Sequence, residues 1–132
     1  MWTTPKMDWK QTDRFNVSDY TRIKNNLLYL LELSSKIAIL SNSTQGMYDK
    51  TVSDYLYAED INAFEYNLEL INQSVVNIDY GDTRTYYAND PMIDFQELNR
   101  IERVMSDLYD KLNNIYKGRK KLAFNLGMRG EF

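Results

Sequence analysis

The sequence predicts a mainly α protein of about three helices with an extended N-terminal arm. Near residues 75–88 it adds either one small β-hairpin or an ordered loop without strand pairing. Three observations carry this. Apolar residues recur at helical spacing in three long stretches, each opened by its own start signals. The start signals form a degraded internal repeat, their acidic positions Asp19, Asp60 and Glu97 separated by 41 and 37 residues. Ahead of the first helix, Thr4-Pro5 biases the chain toward extended geometry. The expected organisation is an arm over residues 1–14, a helical domain over 15–122 and a tail over 123–132, the helices packed antiparallel or splayed.

The arm holds Trp2 and Trp9 on an otherwise polar segment, which suggests that it is tied down on its own domain or on a neighbour. The first helix is expected from Val17 to about Leu40. Asn16 suits the N-cap, because its side-chain oxygen can accept from orphan N–H groups of the first turn. Asp19 can reach back to complete a capping box, and Phe15 with Tyr20 is spaced as a hydrophobic staple. Tyr20, Ile23, Leu27, Leu30 and Leu31 then mark one face. Residues 41–46 read as a loop.

The second helix is expected from about Ala58 to about Ser74, with Leu56 and Ile61 as its staple pair; Tyr57 cannot cap it. Val75 to Tyr80 shifts to β-branched residues, Gly81-Asp82 suits a turn, and Thr83 to Tyr87 is again β-type, the pattern of a hairpin. Asn89-Asp90-Pro91 resets the chain. The third helix is expected from Phe95 to about Lys117, or on to Leu122, capped by Asp94 with Glu97, and stapled by Ile93 with Leu98. Its stripe is Leu98, Ile101, Met105, Leu108, Leu112 and Ile115, and Lys117 to Lys121 puts cations at its C-terminal end, where they suit the dipole.

At 132 residues the chain is one domain with room for a real core. Its net charge of −3 argues against general nucleic-acid binding. It has no cysteine and no histidine, so disulfides, the commonest general base and the commonest metal ligand are all missing. No apolar run is long enough to span a bilayer, and no signal peptide is expected. Asp79-Tyr80-Gly81-Asp82 faintly resembles a calcium loop but lacks its alternating ligands and closing Glu. No phosphate loop, zinc spacing or nucleophilic triad is present. The expectation is therefore no enzyme, no catalytic residue, no cofactor and no metal. The unusual feature is 11 tyrosines, a residue favoured where an apolar body and a polar tip meet a partner.

Residues 4–26 carry a resemblance. Thr4-Pro5-Lys6-Met7-Asp8-Trp9, followed by Asp13-Arg14-Phe15-Asn16-Val17-Ser18-Asp19-Tyr20-Thr21-Arg22-Ile23-Lys24-Asn25-Asn26, is similar to a segment of virion structural proteins of tailed phages and prophages of Gram-positive bacteria. There an arm of the form TPKTDW leads into D-x-Φ-N-x-x-D-Φ-N-R-I-x-x-N, where Φ is apolar. Thr21 departs from its usual Asn and Lys24 from its usual Glu, and Asn99-Arg100-Ile101-Glu102 repeats the heart of the pattern. The resemblance implies a non-enzymatic part of a phage tail or tail-like particle, in the baseplate or tail-tip region, assembled in the host cytoplasm. Its partners would be other virion proteins and copies of itself, with no nucleic acid and no membrane. A neck or head-fibre connector is the alternative within the particle, and a host helical adaptor the alternative outside it. The residues expected at the interfaces are Trp2, Trp9, Phe15, Tyr20, Tyr80, Tyr86, Tyr87 and Phe124. With the arm as a clasp, removing residues 1–12 is expected to weaken assembly more than thermal stability.

Overall fold

The structure is a computed structural model that describes residues 2–40, 42–47, 49–51, 58–76 and 94–126, with side chains described as far as 118. It is mainly helical, and no strand occurs among the described residues. Helix α1 spans Val17–Ile37, α2 spans Ala58–Ile71 and runs into a π-helical turn at Asn72–Val76, and α3 spans Phe95–Leu126.

Helix α1 starts where its caps require. The Asn16 backbone is extended, and its side chain accepts from the N–H groups of Ser18 and Asp19 at 3.0 and 3.2 Å. Asp19 returns the favour by accepting from the Asn16 N–H at 3.0 Å, which closes the capping box. Phe15 sits beside Trp9, ring centroids 5.8 Å apart, so the arm supplies its nearest aromatic partner. The helix stops at Ile37, short of the expected Leu40. Ala38 turns extended while its N–H still bonds Ser34 at 2.9 Å, and Ile39, at 95% exposure, has nothing to bury against.

Helix α3 begins with Asp94 Oδ1 accepting from the Glu97 N–H at 2.9 Å. It continues through Gly118 to Leu126, so residues 123–126, expected as tail, are helical. Val75 and Val76, expected to open a strand, form the end of the π-helical turn instead. Both valines are partly buried against the core from this turn, which gives them packing without a strand partner. The rest of the expected hairpin, and the staple residues Leu56 and Ile93, lie outside the described residues.

The expectation of antiparallel or splayed helices is corrected by the contacts between them. On α1, Arg22 meets Glu102 of α3, and Tyr29 meets Tyr109 with centroids 5.8 Å apart. Both helices advance seven residues between the two contacts, so they run in the same direction. Helix α2 shares that direction. Its Glu65 pairs with Arg100, only five residues after the start of α3, and the π-helical turn that follows still packs on α3. Pointed the other way, residues 72–76 would rise roughly 10–16 Å beyond Glu65 and overshoot the first residue of α3.

Three parallel helices bury one seam. Ile23, Leu27 and Leu30 of α1, Phe64, Leu68 and Ile71 of α2, and Ile101, Met105, Leu108 and Leu112 of α3 are all fully buried. Consecutive parallel helices need connections that run back along the bundle, and the chain provides extended straps. The N-terminal arm runs antiparallel to α1 and α3. The segment at 45–50 runs antiparallel to α2, from Asn67 beside Gln45 to Asp60 beside Lys50.

Two buried asparagines hold these straps in the same way. Asn26 accepts from the Thr3 N–H and donates to the Thr3 carbonyl, both at 2.8 Å. Asn67 does the same to Gln45, both at 2.9 Å. The two asparagines stand 41 residues apart, the spacing between Asp19 and Asp60. The repeating unit of the first two thirds of the chain is thus a strap followed by the helix that grips it. Asn67→Ala removes both bonds of one grip and is expected to cost about 1–2 kcal/mol. Hydrogen exchange gives the local check: the Gln45 amide should lose protection while the α1 amides keep theirs.

Candidate functional site

Glu102 organises the arm. Its side chain is fully buried, and its carboxylate collects four donors. The Arg22 guanidinium binds it bidentately, Nε to Oε1 at 2.8 Å and Nη2 to Oε2 at 2.9 Å. The Trp9 indole N–H donates to Oε2, and the Lys6 backbone N–H donates to Oε1 at 3.0 Å. Arg22 is steadied in turn by Asp19 at 2.9 Å, the acid that completes the α1 capping box. Burial alone would push the Arg22 pKa down, but hydrogen bonds to Glu102 and Asp19 outweigh it and hold the guanidinium above its ordinary value.

Two further contacts fix the arm. Asn99 accepts from the Trp9 N–H at 2.8 Å and donates to the Trp9 carbonyl at 3.0 Å, a third grip of the kind made by Asn26 and Asn67. Trp2 stacks on Tyr109, centroids 4.1 Å apart and planes 15° from parallel, with Tyr29 against it at 5.9 Å. Lys6 and Arg22 approach the Trp9 ring at 4.9 and 5.9 Å, within cation–π range.

The second Arg-Ile pair repeats the first. Arg100 bonds Glu97, an acid in the first turn of its own helix, at 2.9 Å and pairs across to Glu65 of α2. Glu65 and Glu102 occupy equivalent places, five residues after Asp60 and Glu97. The two sites differ in balance. Glu65 Oε2 has no hydrogen-bond partner among the described residues. Its burial raises its pKa more than Arg100 lowers it, and Glu97 and Glu69 push it the same way as burial.

The sign of the pH effect follows. Between the ordinary value of 4.5 and the raised value, the folded chain binds more protons at this group than the unfolded chain. Stability from Glu65 therefore rises as pH falls through the raised value and levels off below 4.5, where both states are protonated. Glu65→Gln lacks this term. The urea midpoint of the wild type should gain on that of Glu65→Gln as the pH is lowered from 7 toward 4.

Of the residues expected at interfaces, Trp2, Trp9 and Phe15 lie together along the arm. Trp9 is 4% exposed and Tyr20 2% exposed, and Tyr20 packs on Phe64 of α2 with centroids 5.2 Å apart. Both rings pack into the hydrophobic core, Trp9 as part of the arm that lies on its own domain. Tyr80, Tyr86 and Tyr87 lie outside the described residues, as does the faint calcium-loop segment at 79–82; Phe124 lies on α3, its side chain outside the described set. Asn67, Tyr29 and Tyr109 were not singled out by the sequence, and Asn26, Asn99 and Glu102 stood there only as members of the resembling segment and its repeat. The available signal was positional: Asn26-Leu27 and Asn67-Leu68 fall at the same point of the repeat.

Among the described residues, no group of three His, Cys, Asp or Glu could hold a metal, and no helix is long and apolar enough to cross a membrane. An open cleft of about 430 Å³ lies under the turn that joins the arm to α1. It is lined by Trp9, Phe15, Phe95 and Leu98 and rimmed by Lys10, Asp13, Arg14 and Asp94. Comparison with protein-family models, curated proteins and solved structures finds no match to this chain.

Proposed function

We propose that this protein is a non-enzymatic structural component of a phage tail or phage-tail-like particle, in the baseplate or tail-tip region, acting by subunit assembly. One observation carries the reading. The segment that resembles virion proteins, residues 4–26, coincides with a working unit of the fold: the strap, its Trp9 anchor, the helix cap and the Arg22 clamp. A motif whose residues serve to fasten an extended arm suits proteins that build particles from repeated parts. Its polar groups are committed to Glu102, Asn99 and Asn26 rather than arranged around a substrate.

The test is immunogold electron microscopy of particles induced from the source strain, using an antibody to this chain. Gold at the distal tail is the expected result. Gold at the head–tail junction would move the protein to the neck. Unlabelled particles with the protein free in the cell would overturn the virion reading in favour of a host adaptor.

A further inference from the structure

We infer that the N-terminal arm, residues 2–9, exchanges between copies of this chain, each arm filling the α1–α3 groove of a second copy. The inference rests on the assembly reading for its context and on three observations for its substance.

First, the groove reads the arm mostly through backbone. Asn26 takes both polar groups of Thr3, Asn99 takes both of Trp9, and Glu102 takes the N–H of Lys6. Trp9 and Trp2 add side-chain anchors. This is recognition of an extended peptide by main-chain hydrogen bonds with side-chain pockets, a mode indifferent to whether the peptide belongs to the same chain. The arm of a second copy would find every one of these contacts.

Second, the joint between arm and helix is held by contacts near the surface alone. Residues 10–14 are all exposed. The turn is closed by a bond from the Asp13 N–H to the Lys10 carbonyl and one from the Lys10 N–H to Asp13, both at 2.9 Å, and by a partly exposed Lys6–Asp13 ion pair at 3.4 Å, a set of contacts near the surface that opening must break. Beside it lies the open 430 Å³ cleft. The capping box of α1 begins only at Asn16, so opening the turn leaves the helix start intact.

Third, the groove is incomplete when empty. Glu102 would lose two of its four donors and Tyr109 its stacked partner. An arm therefore has to occupy it. Inside a particle, where copies are held side by side, the high effective concentration of the neighbour's arm lets it compete with the chain's own for the groove.

The chain contains no cysteine, which makes the test direct. A full chain carrying Thr3→Cys is mixed with a full chain carrying Asn26→Cys at high concentration and oxidised, with the Thr3→Cys/Asn26→Cys double variant as the control for geometry. The expected result is a disulfide-linked heterodimer that forms in the mixture, exceeds the homodimers of either variant alone at least tenfold, and grows with concentration. A mixture that stays monomeric while the double variant closes within one chain would overturn the inference.

A second variant needs no disulfide. Deleting Gln11 and Thr12 shortens the joint and strains the fold-back of the arm, a change that promotes swapping. Light scattering should then report twice the 15.7 kDa mass of the chain. A folded monomer would overturn the inference as well. Both readouts use purified protein, so they fail independently of where the gold label falls.

Discussion

Glu102→Ala is expected to lower the free energy of unfolding by about 3–5 kcal/mol, the cost of removing one member of a buried ion pair. The magnitude follows from what is left behind. Arg22 would keep its charge with only Asp19 for a partner, and the Trp9 indole N–H and Lys6 N–H would lose their acceptor. Glu102→Gln keeps the shape and an oxygen but loses the charge and presents an N–H₂ group to a set of donors, so it should fall between the two, at about 2–3 kcal/mol. The double variant Arg22→Met/Glu102→Leu removes both charges together and should recover much of the loss. Urea denaturation of the four proteins checks this. If Glu102→Ala and the double variant lost equal stability, burial of an unpaired Arg22 would not be the cause. The contrast matters because a buried ion pair is weak evidence for stability. What the Arg22–Glu102 pair supplies is register: it fixes α1 against α3 and, through Lys6 and Trp9, fixes the arm against both.

The fold class and the helix starts were legible because they depend on neighbours in sequence. A cap needs an oxygen within three residues, and Asn16 with Asp19 and Asp94 with Glu97 were both visible as such. Helix direction was not legible, since apolar periodicity is the same whichever way a helix points. The clue lay in the connections. The stretches 38–57 and 77–94 are far longer than an antiparallel pair needs, and about 20 extended residues reach roughly 66 Å, twice the length of α1. The site was less legible still. Glu102 reads as one more charge on a helix until its partner 80 residues away is seen, and Trp9 as an anchor without a known dock until its indole meets that carboxylate. Burial of a polar group is a property of the assembled fold, and only the repeat, which sets Glu65 beside Glu102 and Asn26 beside Asn67, hinted at it.

Trp9→Ala is expected to cost about 3–5 kcal/mol, as for large aromatic residues removed from a core. The ring is 4% exposed and lies against Phe15, so its loss opens a cavity beneath the arm. It also leaves Glu102 Oε2 one donor short. Trp9→Phe separates the two effects: most of the ring remains while the indole N–H is gone, and the loss should shrink to about 1–2 kcal/mol. Trp2→Ala is the internal comparison. Trp2 is only partly buried, and its stacking on Tyr109 is worth about 0.5–1.5 kcal/mol beyond its burial. The order expected in urea denaturation is therefore Trp9→Ala well below Trp9→Phe, with Trp2→Ala close to the latter. Removing residues 1–12 takes Trp9 along with the arm, so the truncation should cost at least as much stability as Trp9→Ala. That reverses the balance expected of a clasp that reaches only outward. If Trp9→Ala melted with the wild type, the arm would be a loose appendage and the groove would not need it. If it melts far lower, the same residues that would hold a neighbour's arm also complete the fold of each copy, and a chain in a particle would gain its last increment of stability at the moment it finds an arm.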